Sequence, residues 1–158
     1  ELFHAMGCRI LAFSRHRKEN VPDYVTYVTL EELLGQSDIV SLHCPLTPET
    51  RGLINAERIA LMKKTAVLIN AARGPVADSR ALADALNEDR IAGAGVDVFE
   101  MEPPVPADHP LLHAKNCLVT PHVAFASEES MKLRADIVFD SLQEWLKGGQ
   151  VNTVLPRA

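Results

Sequence analysis

Several short apolar runs in this sequence end directly in groups that can do chemistry. Cys8–Phe13 runs into Ser14-Arg15-His16, Ala66–Asn70 into Ala71-Ala72-Arg73-Gly74, Ala92–Val98 brackets Asp97 and leads to Glu102, and Cys117–Thr120 leads to His122. An arginine at such an end holds a carboxylate through the parallel N–H groups of its planar fork. A carboxylate beside an imidazole stabilises the imidazolium and fixes its tautomer. Glu102 and His122 therefore make a pair able to give a proton to a carbonyl oxygen and take it back. Ser14 and Arg15, a hydroxyl followed by a cation, suit a ribose phosphate, which an acid at that place would repel. Each residue also has a plainer use: a solvated basic turn for 14–18, an ion pair for Arg73, a satisfied loop histidine for His122. His43, after Ile39–Leu42 and before Cys44-Pro45, is a structural or cofactor-lining residue. His4, His16, His109 and His113 offer no evident partner.

The elements that position these groups follow from turn and cap signals. Gly7 stops an opening helix. Thr29 and Glu32 form a capping box that starts a helix ending near Gly35, and Thr47-Pro48 predicts a short helical turn before Gly52. Asn55 caps a helix through Met62, and Asp78 or Ser79 caps one to Asn87. Pro103, Pro104, Pro106 and Pro110 fix too many φ angles for a regular element, so 100–115 reads as a rigid loop. Ser127 caps a last helix with an apolar stripe of Met131, Ala135, Val138, Leu142 and Trp145, closed by Gly148-Gly149. Apolar strands alternating with helices predict the α/β class with a doubly wound parallel sheet buried on both faces, whose ligands sit at the carboxyl ends of the strands. Gly93-Ala94-Gly95 lies within a strand and opens no helix, so its glycines read as close-packing positions rather than a phosphate loop.

Length and composition bound the rest. A chain of 158 residues is about one domain and buries roughly 70% of its unfolded surface. With 47% hydrophobic residues and no apolar run of about 18, the expected class is a soluble globular protein without a membrane partner. Sixteen basic against twenty-one acidic residues, net charge -5, disfavour nucleic acid. Cys8, Cys44 and Cys117 have neither disulfide-framework nor metal-site spacing, which points to a reducing cytoplasm and no metal. The chain opens with Glu1, inside a helix, which reads as a cut.

Taken together, Ser41–Ile54, Asn70-Ala-Ala-Arg-Gly74, Gly95-Val-Asp-Val-Phe99 with Glu102-Pro103, and Thr120-Pro-His122 resemble the D-isomer-specific 2-hydroxyacid dehydrogenases over essentially the whole chain. The resemblance implies a Rossmann-type nucleotide-binding domain and the reduction of small 2-keto acids with NAD(P)H. It assigns substrate carboxylate binding to Arg73, acid/base work to His122 with Glu102 as its partner, and a place by the nicotinamide carboxamide to Asp97. Cofactor contacts are implied for His43, Cys44, Pro45 and Thr50, for Ala71, Ala72 and Arg73, and for His122. Ser14 and Arg15 favour NADP(H) over NAD(H). The family's first strand and glycine-rich phosphate loop are expected before Glu1, and its substrate domain lies outside this chain. Residues 1–149 then read as an incomplete dinucleotide-binding domain, and 150–158 as a tail returning to the substrate domain. Such a fragment is expected to bind cofactor weakly or not at all and to be inactive alone.

Glu102 argues against the formate dehydrogenase branch, which carries an amide there. Phe125 points to an apolar wall and a bulkier 2-keto acid. A homodimer is implied by the resemblance alone. The segment Pro121–Glu129 also looks like that of the C-terminal-binding-protein corepressors, whose non-catalytic, dinucleotide-sensing interaction role is the alternative reading.

Overall fold

Local capping sets the frame of the chain. In the computed structural model, which describes residues 1–16, 19–101 and 104–153, the Thr29 hydroxyl accepts from the Glu32 amide at 3.2 Å. The Glu32 carboxylate in turn accepts from the Thr29 amide at 2.9 Å. This capping box starts a helix at Leu30–Gln36. Asn55 and Asp78 do the same work for Ala56–Ile59 and Ser79–Asn87, accepting from the Arg58 and Ala81 amides at 3.0 Å each. The chain divides into two compact units, residues 1–121 and 122–158.

The first unit runs α1 (Leu2–Ala5), β1 (Ile10–Ala12), β2 (Val25–Tyr27), α2 (Leu30–Gln36), β3 (Ile39–Leu42), α3 (Ala56–Ile59), β4 (Val67–Asn70), α4 (Ser79–Asn87), β5 (Gly93–Val96) and β6 (Cys117–Val119). Short 3-10 turns lie at Gly74–Val76 and Pro110–Leu112. Every pairing among the described strands is parallel. The sheet β3-β4-β5-β6 keeps sequence order, with α3 between β3 and β4 and α4 between β4 and β5, as parallel neighbours need crossover connections. The predicted α/β class and its parallel strands are present. Among the described strands, β1 and β2 form a separate ladder that no hydrogen bonds join to β3. Strand β2, three residues flanked by polar and proline-containing segments, carries too short an apolar signal to be read from sequence.

The core lies between sheet and helices. Leu34, Ile54, Ala66, Leu68, Val76 and Ala85 are fully buried. Burial on both faces holds best for β5, whereas β3 alternates: Val40 and Leu42 are buried while Ile39 is exposed. A Cβ at Gly93 would come within 3.2 Å of the Asn116 carbonyl oxygen, but Gly95 has open space around it, so close packing explains only the first of these glycines. Thr47-Pro48 begins a single hydrogen-bonded turn, with the Thr50 and Arg51 amides both donating to the Thr47 carbonyl, and no further helix forms there. Among the described residues no helix is long and apolar enough to cross a membrane.

The second unit is α5 (Glu128–Leu146) and its flanks. Ser127 accepts from the Ser130 amide at 3.2 Å, and Ser130 Oγ accepts from the Ser127 amide at 3.0 Å. None of the helix's residues is buried. Of the tail read at 150–158, residues 154–158 lie outside the described ones, and Asn152 Nδ2 donates to Ser141 Oγ at 3.1 Å.

Candidate active site

The carboxyl ends of β4, β5 and β6 are tied into one surface by buried polar groups. Asn70, the last residue of β4, accepts from the Ala72 amide at 3.1 Å and donates from Nδ2 to the Arg73 carbonyl at 3.1 Å. One amide side chain thus closes the turn that presents Arg73. Ala71 faces out and Ala72 is buried. Arg73 Nη1 donates to the Ala72 carbonyl at 2.6 Å, and the residue as a whole is exposed. The glycine that follows is demanded by a close approach. A Cβ on Gly74 would sit 2.0 Å from the Phe99 carbonyl carbon, so only glycine lets the arginine loop lie against the chain leaving β5. The Asp97 amide donates to the Asn70 carbonyl at 2.9 Å, and the buried Asp97 carboxylate accepts from the Thr120 hydroxyl. Arg73, Asp97 and Thr120 are therefore fixed to one another through backbone and side-chain bonds, and His122 follows Thr120 by two residues.

A cavity of about 610 Å³ opens beside β1, α2 and β3. Its apolar lining includes Leu11, Leu30, Leu33, Val40 and Leu42, and its polar lining Ser14, Arg15, His43, Cys44, Glu49 and the buried Thr50. Pro45 lines it as well. His43 Nε2 and Ser41 Oγ share a hydrogen bond of 2.9 Å. Thr50 is buried and its hydroxyl is occupied within its own loop, donating to the Pro45 carbonyl at 2.6 Å and accepting from the Thr47 amide at 2.8 Å. Burial pushes the Cys44 thiol up, against smaller opposing effects of its own backbone and the Arg15 charge. Arg15 Nη1 meets Glu49 Oε2 at 3.4 Å.

His122 opens the second unit with a left-handed φ of 56°, a backbone state that non-glycine residues adopt seldom and that recurs at functional sites. Its ring meets the Phe125 edge-to-face with centroids 6.3 Å apart, and the Arg134 guanidinium lies 5.2 Å above the Phe125 ring. Glu102, the expected partner of His122, lies outside the described residues.

One carboxylate–imidazole pair was not legible in the sequence. His109 Nε2 lies 3.1 Å from Glu100 Oε2, its Nδ1 accepts from the Leu111 amide at 3.3 Å, and its ring stands perpendicular to Phe99. His109 does have a partner, nine residues back across a proline-rich loop, a separation that no periodicity reveals. Burial raises the Glu100 carboxyl, but bonds from Ser79, its own backbone and His109, with the His109 charge, outweigh that and hold it below the usual carboxylate range. Among the described residues no cluster of three or more histidines, cysteines or carboxylates could hold a metal ion.

Residues 1–124 match the family model described as "D-isomer specific 2-hydroxyacid dehydrogenase, NAD binding domain". The chain is 44% identical over 155 residues to a hydroxypyruvate reductase of Blautia hydrogenotrophica, covering 98% of this chain and 48% of that protein. It is 47% identical over 144 residues to a glyoxylate reductase of Korarchaeum cryptofilum, covering 90% and 43%. In structure it is similar to a D-lactate dehydrogenase of Lactobacillus jensenii solved with NAD+, at a TM-score of 0.87, 34% identity, and coverage of 99% of this chain and 51% of that one. The chain spans about half the length of the curated relatives it matches. On this sequence, fold and arrangement of strand ends, the chain belongs to the D-isomer-specific 2-hydroxyacid dehydrogenase family, as its NAD-binding domain.

Proposed function

We propose that this chain is the dinucleotide-binding half of a reductase of small 2-keto acids, with hydroxypyruvate and glyoxylate, named in its relatives, as first candidates. The observation that carries the reading is the Asn70-closed, Gly74-permitted turn that presents Arg73 beside the buried Asp97. Arg73 holds the substrate carboxylate in its planar fork. Asp97, buried and bonded to Thr120, orients the carboxamide end of the cofactor. His122 gives the carbonyl oxygen its proton and recovers it in the reverse direction, with Glu102 as its partner.

The cavity beside β1 and β3 fits a nucleotide: an apolar lining for a base and a rim carrying Ser14 and Arg15 for a ribose. When bound there, the nicotinamide cofactor supplies the hydride that completes the reduction to the alcohol. Ser14 and Arg15 favour NADP(H), because a hydroxyl and a guanidinium complement a ribose phosphate. His43, Cys44 and Pro45 line the cavity and Thr50 shapes it by stapling the loop, while Ala71 and Ala72 are cofactor contacts by the family resemblance. Pairing into a homodimer and residence in a reducing cytoplasm complete the reading. The exposed apolar side chains of α5 support the first, and the free cysteines Cys8, Cys44 and Cys117 the second.

The test is reduction of hydroxypyruvate and glyoxylate by the protein of full family length that carries this chain, before and after His122→Gln. Loss of about 10²–10⁴ in kcat with cofactor affinity retained is expected. An unchanged rate would remove His122 from the mechanism, and no turnover of any 2-keto acid by the unaltered protein would remove the function.

A further inference from the structure

We infer that Glu49 is a specificity-determining residue that sets how far this protein prefers a 2′-phosphorylated cofactor, by holding Arg15 at the cavity rim in competition with the phosphate. The inference rests on the nucleotide reading of the cavity beside β1 and β3. Two loops meet at this rim. One leaves β1 and carries Ser14 and Arg15, and the other follows β3 and carries Glu49. The second loop is stiffened around Glu49. Pro48 fixes φ just before it, and the buried Thr50 hydroxyl bonds the Pro45 carbonyl at 2.6 Å and the Thr47 amide at 2.8 Å. The carboxylate is thereby delivered to Arg15, with Nη1 and Oε2 3.4 Å apart. Hydrogen bonds from the Thr47 side chain and its own backbone hold the Glu49 carboxyl below the usual range, so it stays ionised at neutral pH.

A ribose phosphate reaching Arg15 has to displace that carboxylate and then share the rim with it. The first step costs little, since both side chains are more than half exposed, at 52% and 61%. The second is a like-charge contact, which opposes a phosphate and leaves a ribose hydroxyl almost untouched. Glu49 therefore narrows the margin that Ser14 and Arg15 create, and a protein with both features uses either cofactor with a modest preference for the phosphorylated one. Removing the charge while keeping the shape widens that margin.

The experiment titrates the 158-residue chain with adenosine 2′-monophosphate and with adenosine, followed by amide chemical shifts at low salt, where screening is weakest. These probes differ only at the 2′ oxygen and need no pyrophosphate site. Glu49→Gln is expected to tighten the phosphate probe about two- to fivefold, the range of an exposed ion pair, and to leave adenosine unchanged. In an Arg15→Ala background the gain should shrink, because without that guanidinium the phosphate is no longer held at the rim within reach of the Glu49 charge. A gain of equal size for both probes, no gain at all, or a full gain without Arg15 would each overturn the role of Glu49. If neither probe shifts the amides around the cavity in the unaltered chain, the nucleotide reading falls and the inference with it.

Discussion

Helices α4 and α5 were both read from a cap residue, α5 from an apolar stripe as well, yet they end in opposite environments. In α4, Leu82, Ala83, Ala85 and Leu86 are all buried against the sheet unit, and Asp78 caps the end. In α5, Met131, Val138, Leu142 and Trp145 are 47%, 58%, 50% and 63% exposed. Spacing and caps specify that a segment is a helix and which face is apolar. They do not specify what covers that face, because coverage is a property of the neighbour.

Substitutions can break or sharpen this contrast, and the largest effect belongs to the sheet core. Leu68, fully buried in β4, should cost about 2–5 kcal/mol on Leu68→Ala in a denaturant titration, through lost transfer energy and the cavity left behind. A cost under about 1 kcal/mol would mean that this core is loosely packed. Removing a cap comes next. Asp78→Ala should cost about 1 kcal/mol by the same measurement, and Ser127→Ala should lower the helicity of α5 seen by circular dichroism while leaving the sheet unit's melting nearly unmoved.

A pH effect follows from the Glu100–His109 pair. The Glu100 carboxyl sits below its ordinary value of 4.5 in the folded chain, so its contribution is present above that value and is lost as pH falls through the folded value. Glu100→Gln should flatten the acid side of the stability curve and leave the neutral region less stable than the unaltered chain. An unchanged acid limb would show that the pair contributes nothing to folding. The smallest effect is expected on α5, where Leu142→Ala should change the stability of this chain by within about 0.5 kcal/mol. A loss matching that of Leu68→Ala would show that the face is covered in solution, as a homodimer would cover it.

How much was legible in the sequence divides along the same line. The caps at Thr29, Asn55, Asp78 and Ser127 were readable because each is a local bond between residues three apart. The Asn70–Gly74 turn was recognised as a site, but the reason for its glycine was not. Gly74 is required because the Phe99 backbone comes too close for any side chain. Strand β2, the Glu100–His109 pair and the Arg15–Glu49 contact each depend on short segments or distant partners. The chemistry-bearing residue types were visible at the strand ends, while the residues that restrain them were not.

The most direct test of the central claim, that nucleotide is held by the strand-end loops of the first unit, is amide hydrogen exchange of the protein of full family length that carries this chain, with and without millimolar NADPH. Slowed exchange should gather at 14–15, 43–50, 70–74 and 96–98, and α5 over 128–146 should exchange as before. Protection along α5 with none at these loops, or no protection anywhere, would contradict the account.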